Sequence, residues 1–272
     1  MRKGDDARRE LMRRAAELFD GRGYDAVSVK DIADSLGWPK SLIYYYCTSK
    51  EELVMKAAEM RADAVIGDVE KYIGECAGGN VERLSRALSC VTFWYDGDPK
   101  TAARLISTLY QPGSLPWRVY LRAALLPKIS ATCNDIIADG VKDYEMYTPY
   151  PRAICGALLE LSADLAEKLA PLVRQGGCGA FDQCERLLTA YRCAVERLVE
   201  APFGSLRLVE TAFLRDTARE LGVDFSGGAD DETLDCGDSD CNNDAVDGGG
   251  AGLRRAHRAA RRARPKRTDG FG

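Results

Sequence analysis

Ser28-Val29-Lys30-Asp31-Ile32-Ala33-Asp34-Ser35-Leu36-Gly37-Trp38-Pro39-Lys40-Ser41-Leu42-Ile43-Tyr44-Tyr45-Tyr46-Cys47-Thr48-Ser49-Lys50 is the stretch whose reading decides the fold. It contains two short helices and a tight turn. Val29, Ile32, Ala33 and Leu36 recur at i, i+3, i+4 and i+7, the spacing of one helix face. Ser28 is a cap for that helix, and Asp31 favours the same end through the helix dipole. Gly37 supplies the left-handed residue that stops it. Pro39 suits the first turn of a second helix, over residues 39–46, and cannot sit deeper. That helix buries Ile43 and leaves Lys40, Ser41, Leu42, Tyr44 and Tyr45 outside.

A helix of two turns is not stable alone in water. It needs a platform, and residues 7–21 provide one. Leu11, Ala15, Leu18 and Phe19 form an inner stripe there, ended by Gly21 and Gly23. Ahead of it, residues 1–6 read as a loose arm whose Arg2 and Lys3 either touch phosphate or stay solvated. An apolar back with a front of hydrogen-bonding and aromatic side chains is what a helix entering a DNA major groove requires.

In order and spacing the segment resembles the TetR family of transcriptional regulators. That family's pattern is a hydroxyl, Val or Ile, a base, an acid and Ile-Ala, then a glycine turn, then Leu-Tyr-x-Tyr-Phe-x-Ser/Asn-Lys. The chain has Ser28 to Ala33, Gly37, and Ile43 to Lys50, and the likeness covers about the first sixty residues. Cys47 stands where the family usually has Phe, which implies looser packing. Leu42 stands where a small or hydroxyl residue is common, leaving the base preference there open. The resemblance implies DNA contacts by Ser28, Lys30, Tyr44 and Lys50 at phosphates. It implies Lys40, Ser41, Leu42 and Tyr45 at base edges or nearby backbone, with Tyr46 doing either or packing inward.

Beyond this segment the helical pattern continues. Ser49 and Glu52 form a capping box for a helix over 50–73, with Leu53, Ala57, Met60, Ala64 and Val65 inward. Family likeness makes this helix the link between effector and DNA sites. Helices are expected at 81–95, 100–110, 117–141 (kinked or divided at Pro127), 152–174, 180–200 and 205–221. No alternating strand pattern appears, so the class is all-α: a three-helix helix-turn-helix domain at 5–65 (motif 28–47), then a helical effector-binding and dimerisation domain at 66–223. Residues 224–272, acidic and Gly-rich and then basic, lack the apolar content to order themselves and read as a disordered tail. Its arginine-rich end is either solvated or a nonspecific grip on nucleic acid backbone.

The partners expected of such a chain follow from the resemblance: a palindromic double-stranded operator, a second copy of the chain, and a small-molecule effector whose identity the sequence does not give. The helices at 152–174 and 180–200 are the expected dimer surface, and Phe93, Trp94, Tyr95, Tyr110, Trp117 and Tyr120 the expected ligand pocket. Repression is the family expectation. The alternative is a helical interaction or small-molecule-binding module without operator binding.

Net charge is −4. Phosphate contact is local, so Arg8, Arg9, Arg13, Arg14, Lys30, Lys40 and Lys50 suffice for a positive patch. An enzyme is disfavoured. The lone histidine, His257, lies in the tail, and no nucleophile motif, phosphate loop or metal spacing is present, so neither cofactor nor metal is expected. The ten cysteines contain no Cys-x-x-Cys and read as reduced, buried thiols. Cys133 and Cys178 are the candidates if any is thiol-reactive. No signal peptide or membrane span is visible, so a cytoplasmic location is expected.

Overall fold

The computed structural model describes residues 3–177 and 179–225. The expectations for Arg2, Cys178 and the tail from 226 onward lie outside the described residues. Among the described residues ten α-helices follow one another: α1 (Lys3–Arg22), α2 (Val29–Leu36), α3 (Lys40–Tyr46), α4 (Lys50–Gly74), α5 (Asn80–Ser89), α6 (Pro99–Leu109), α7 (Leu115–Lys142), α8 (Pro151–Gln175), α9 (Ala180–Leu198) and α10 (Thr211–Glu220). No strand occurs among the described residues, so the all-α class holds.

Two apolar cores organise these helices. The first gathers Leu11, Ala15 and Phe19 of α1, Ile32 and Ala33 of α2, Ile43 of α3, and Leu53, Val54, Ala57 and Ala58 of α4. Trp117 of α7 belongs to it too. The second is built by α5 to α10 and the far end of α4. Ile73, Leu88, Phe93, Ile106, Ile136, Leu158, Leu165 and Leu169 are fully or almost fully buried in it. The boundary expected near residue 65 therefore falls within α4, and α7 feeds both cores.

Several boundaries differ from expectation, each for a local reason. α1 begins at Lys3, so the arm at 3–6 is helical; Asp5 and Asp6 in its first turn suit the dipole there. The helix expected over 81–95 stops at Ser89. There the side chains of Ser89 and Cys90 bond back to the Arg86 carbonyl, and Thr92 bonds to Ser89, drawing the chain into turns. Those turns put Phe93 and Trp94 into the core. α7 is one helix despite Pro127. Pro127 and Ala123 are both exposed, so water can serve the carbonyl that the proline leaves without a donor. The last helix starts at Thr211 rather than 205; residues 205–210 are irregular but still bury Leu206 and Leu208. In α4, Ala64 is exposed and Met60 and Val65 half-buried, whereas Val54, Ala58 and Ala62 are buried.

Candidate nucleic-acid interface

The reading unit is held from behind. Ser28 caps α2 by accepting from the Asp31 N–H at 3.1 Å, and Asp31 accepts in return from the Ser28 N–H at 2.7 Å and hydroxyl at 2.6 Å. Those bonds hold the Asp31 carboxyl below its ordinary pKa. Gly37 ends α2 at φ 65°, and its N–H returns to the Ala33 and Asp34 carbonyls. Trp38 and Pro39 then turn the chain into α3, with Pro39 at the cap rather than inside the first turn.

Only Ile43 of α3 is buried. Lys40 and Ser41 are exposed, Tyr44 is 46% and Tyr45 80% exposed, and Leu42 and Tyr46 are half-buried. Lys40 lies 5.6 Å from the Tyr44 ring centre. Tyr46 packs inward, its ring 6.4 Å from Trp38 and 5.1 Å from Tyr45. Cys47 fills the expected Phe position as a buried residue, and burial raises its thiol pKa. α3 therefore projects a polar and aromatic ridge on an apolar anchor.

Not every candidate cation faces outward. The Lys50 ammonium donates to the Tyr24 carbonyl at 2.7 Å and lies 3.8 Å from the Tyr24 ring centre; burial lowers its pKa. Arg13 is paired with Glu10 and Glu17, and Arg14 with Glu17. The expected patch is reduced accordingly to Arg8, Arg9, Lys30 and Lys40, all exposed. The capping box at α4 is shifted. Ser49 accepts from the Glu52 N–H at 3.1 Å, but Glu52 reaches back to the N–H and hydroxyl of Thr48 and to Lys56. Together these hold its carboxyl at about 2.

A junction that sequence reading missed fixes this unit to the rest. Asp20 of α1 accepts from the Trp117 indole of α7 at 2.9 Å and from Arg61 of α4 at 3.1 Å. A second contact joins two turns: the Asp25 N–H donates to the Gly113 carbonyl at 3.0 Å. Partners 97 residues apart leave no local sequence signal.

The family model for bacterial regulatory proteins of the tetR family matches residues 11–57, which span this unit from the core of α1 into α4. Residues 11–57 form a DNA-binding domain of the tetR family. The chain is a TetR-type DNA-binding transcriptional regulator. Two curated relatives come from Mycolicibacterium smegmatis. The HTH-type transcriptional activator FasR is 24% identical over 163 residues, 60% of this chain and 71% of that one. The HTH-type transcriptional repressor KstR2 is 33% identical over 78 residues, 29% of this chain and 38% of that one. The crystal structure of a TetR-family regulator from Pectobacterium atrosepticum superposes with a TM-score of 0.50 at 14% identity, covering 74% of this chain and all of that one; it shows the shared fold.

Placed on this TetR fold, the six aromatic pocket candidates divide. Phe93, Trp94 and Tyr110 belong to the second core, with Phe93 ring centres 4.9 Å from Trp94 and 5.7 Å from Tyr110. Tyr95 is half-buried beside them in sequence. Trp117 and Tyr120 instead join the first core, where Trp117 lies 5.4 Å from Phe19. The apolar residues expected for a dimer surface are also partly taken. Leu158, Leu165 and Leu169 of α8 are buried within the chain, while Ala153, Gly156, Ala157 and Glu160 of α8 and Leu198 of α9 face out. Asp164, Lys168 and Tyr191 form a hydrogen-bonded cluster across α8 and α9. Among the described residues no group of three potential ligands could hold a metal ion, and no helix is long and apolar enough to cross a membrane.

Proposed function

We propose that the chain is an effector-responsive repressor that binds a palindromic operator as a homodimer, with α3 in the major groove. The observation supporting this is the outward ridge of α3 on its single buried anchor, Ile43. In this reading Lys40, Ser41, Leu42 and Tyr45 meet base edges, and Lys30 and Tyr44 meet phosphates. Ser28 has both its hydroxyl and its N–H committed to the cap, so its part is to hold the α2 N-terminus, where the Val29 and Lys30 N–H groups offer a favourable place for phosphate. Tyr46 packs behind the ridge against Trp38, and Lys50 ties the start of α4 to the α1–α2 link.

One reading helix covers few base pairs, and a two-fold dimer on a palindrome doubles the contact. α8 and α9 are the proposed dimer surface, and the small outward residues Ala153, Gly156 and Ala157 let a second copy approach closely. The division of labour is 5–65 for DNA and 66–223 for effector and dimer. Members of the family bind small-molecule effectors, and the Trp94 indole N–H, buried without an acceptor among the described residues, is a donor such a molecule would satisfy. An effector that prefers the subunit geometry unsuited to DNA weakens DNA binding by the factor that DNA weakens its own, typically about 5–150-fold. The relatives bear the names of an activator and a repressor; the position of the operator relative to the promoter decides between those outcomes.

The test is selection of bound duplexes from a random pool at low salt, with the molecular mass read by light scattering. Two symmetric half-sites and a dimeric mass are expected. Enrichment of no sequence, or of one without two-fold symmetry, overturns the reading.

A further inference from the structure

Between the α6–α7 turn and the last turn of α8 lies a crevice of about 700 Å³, well away from the DNA-facing ridge in sequence. Its size is that of a small-molecule site. The walls are apolar, from Tyr110, Pro112, Leu115 and Pro171, and one of them, Leu115, is 56% exposed. Two arginines line it, and they differ. Arg118 is spent: it binds Glu167 at 2.6 and 2.7 Å and also donates to the Leu109 carbonyl. Arg174 is exposed, makes no ion pair among the described residues, and reaches only the Tyr110 carbonyl at a long 3.4 Å.

The two helix ends at the crevice oppose each other. α7 begins there without a side-chain cap on its N–H groups, and α8 ends there with its carbonyls. Their dipoles offset, so the uncommitted Arg174 sets the sign of the site.

We infer that this crevice binds an amphipathic organic anion, an aromatic or branched carboxylate or sulfonate, whose apolar body lies on Leu115, Pro112 and Pro171 and whose charge meets Arg174. It borders the effector site proposed around Trp94, with Tyr110 common to the crevice and to the Phe93–Trp94 cluster, and its regulatory consequence rests on the chain's reading as an effector-responsive operator-binding protein. The turn forming one wall is interlocked with the DNA-binding unit. A Cβ on Gly23 would come within 2.6 Å of the Ser114 hydroxyl, and one on Gly113 within 2.8 Å of the Asp25 carboxylate. These close approaches and the Asp25–Gly113 backbone bond tie the turn to the α1–α2 link.

The test uses the full chain and two dyes that differ in charge: 1-anilinonaphthalene-8-sulfonate and its neutral analogue N-phenyl-1-naphthylamine, both titrated by fluorescence. Arg174→Gln is expected to weaken the sulfonate about fivefold, the range of an exposed charge pair, and to leave the neutral dye unchanged. Leu115→Glu is expected to weaken both. Equal sulfonate affinity in wild type and both variants overturns the site. For the coupling, saturating sulfonate is expected to change the dissociation constant for a selected duplex at least threefold in wild type, and the sulfonate concentration giving half that change is expected to lie about fivefold higher in Arg174→Gln. An equal half-effect concentration in both, or no change in wild type, overturns the coupling. Duplex binding without dye is the control that separates this failure from failure of the DNA-binding reading.

Discussion

Three groups converge on half-buried Glu52: Lys56, the Thr48 hydroxyl and the Thr48 N–H. Its folded pKa is depressed from 4.5 to about 2. A depressed carboxylate contributes stability that is complete above the unfolded value and fades as pH falls toward the folded one. The expected outcome is a loss of thermal stability between pH 4.5 and about 2 that is shallower in Glu52→Gln, read from melting temperatures across that range. Parallel acid limbs would show that the contacts are not made. Asp20 tests burial instead of charge. Asp20→Ala leaves the Trp117 indole N–H without its acceptor on a fully buried side chain, so a destabilisation of about 1–3 kcal/mol is expected by urea titration. At the reading face, Lys40→Ala with Tyr45→Ala is expected to abolish discrimination among duplexes while leaving the urea midpoint nearly unchanged, because both side chains are exposed. Retained sequence preference would move the reading face elsewhere.

The α2–turn–α3 element was legible to within one residue, α3 starting at Lys40 rather than at Pro39, because its signals are local: a cap, an apolar stripe, a glycine and a proline within some twenty residues. Gly37 is the sharpest of them. Nothing lies within 4 Å of where its Cβ would be, so only the φ of 65° opposes a side chain. Gly37→Ala is expected to cost about 1 kcal/mol, and Gly37→Asn less, as measured by chemical denaturation; equal stability for all three would mean that the turn has another conformation available. α5 and α7 show where local signals mislead. Val81 to Tyr95 keeps a helical apolar pattern, but side-chain bonds to Arg86 and Ser89 break the helix there and the core receives the aromatic residues from turns. Pro127 reads as a kink or a division and does not divide α7, because its face of the helix is solvated.

At the scale of the molecule, α4 and α7 run through both apolar cores. Neither core can lose its packing without disturbing a helix the other needs. Unfolding of the described region is therefore expected to be a single transition, with tryptophan fluorescence and far-ultraviolet circular dichroism coincident in urea. Two separated midpoints would show that the first core opens alone. The sequence by itself determined the helical class, the position and limits of the reading unit and its outward residues, since each depends on neighbours within one or two helical turns. Only the tertiary structure decided that Lys50 turns to Tyr24, that Trp117 serves the first core through Asp20, and that Arg174 reaches the Tyr110 carbonyl beside a crevice with no ion pair among the described residues. Those outcomes are set by contacts between residues from 26 to 97 positions apart, a separation across which helical periodicity carries no information.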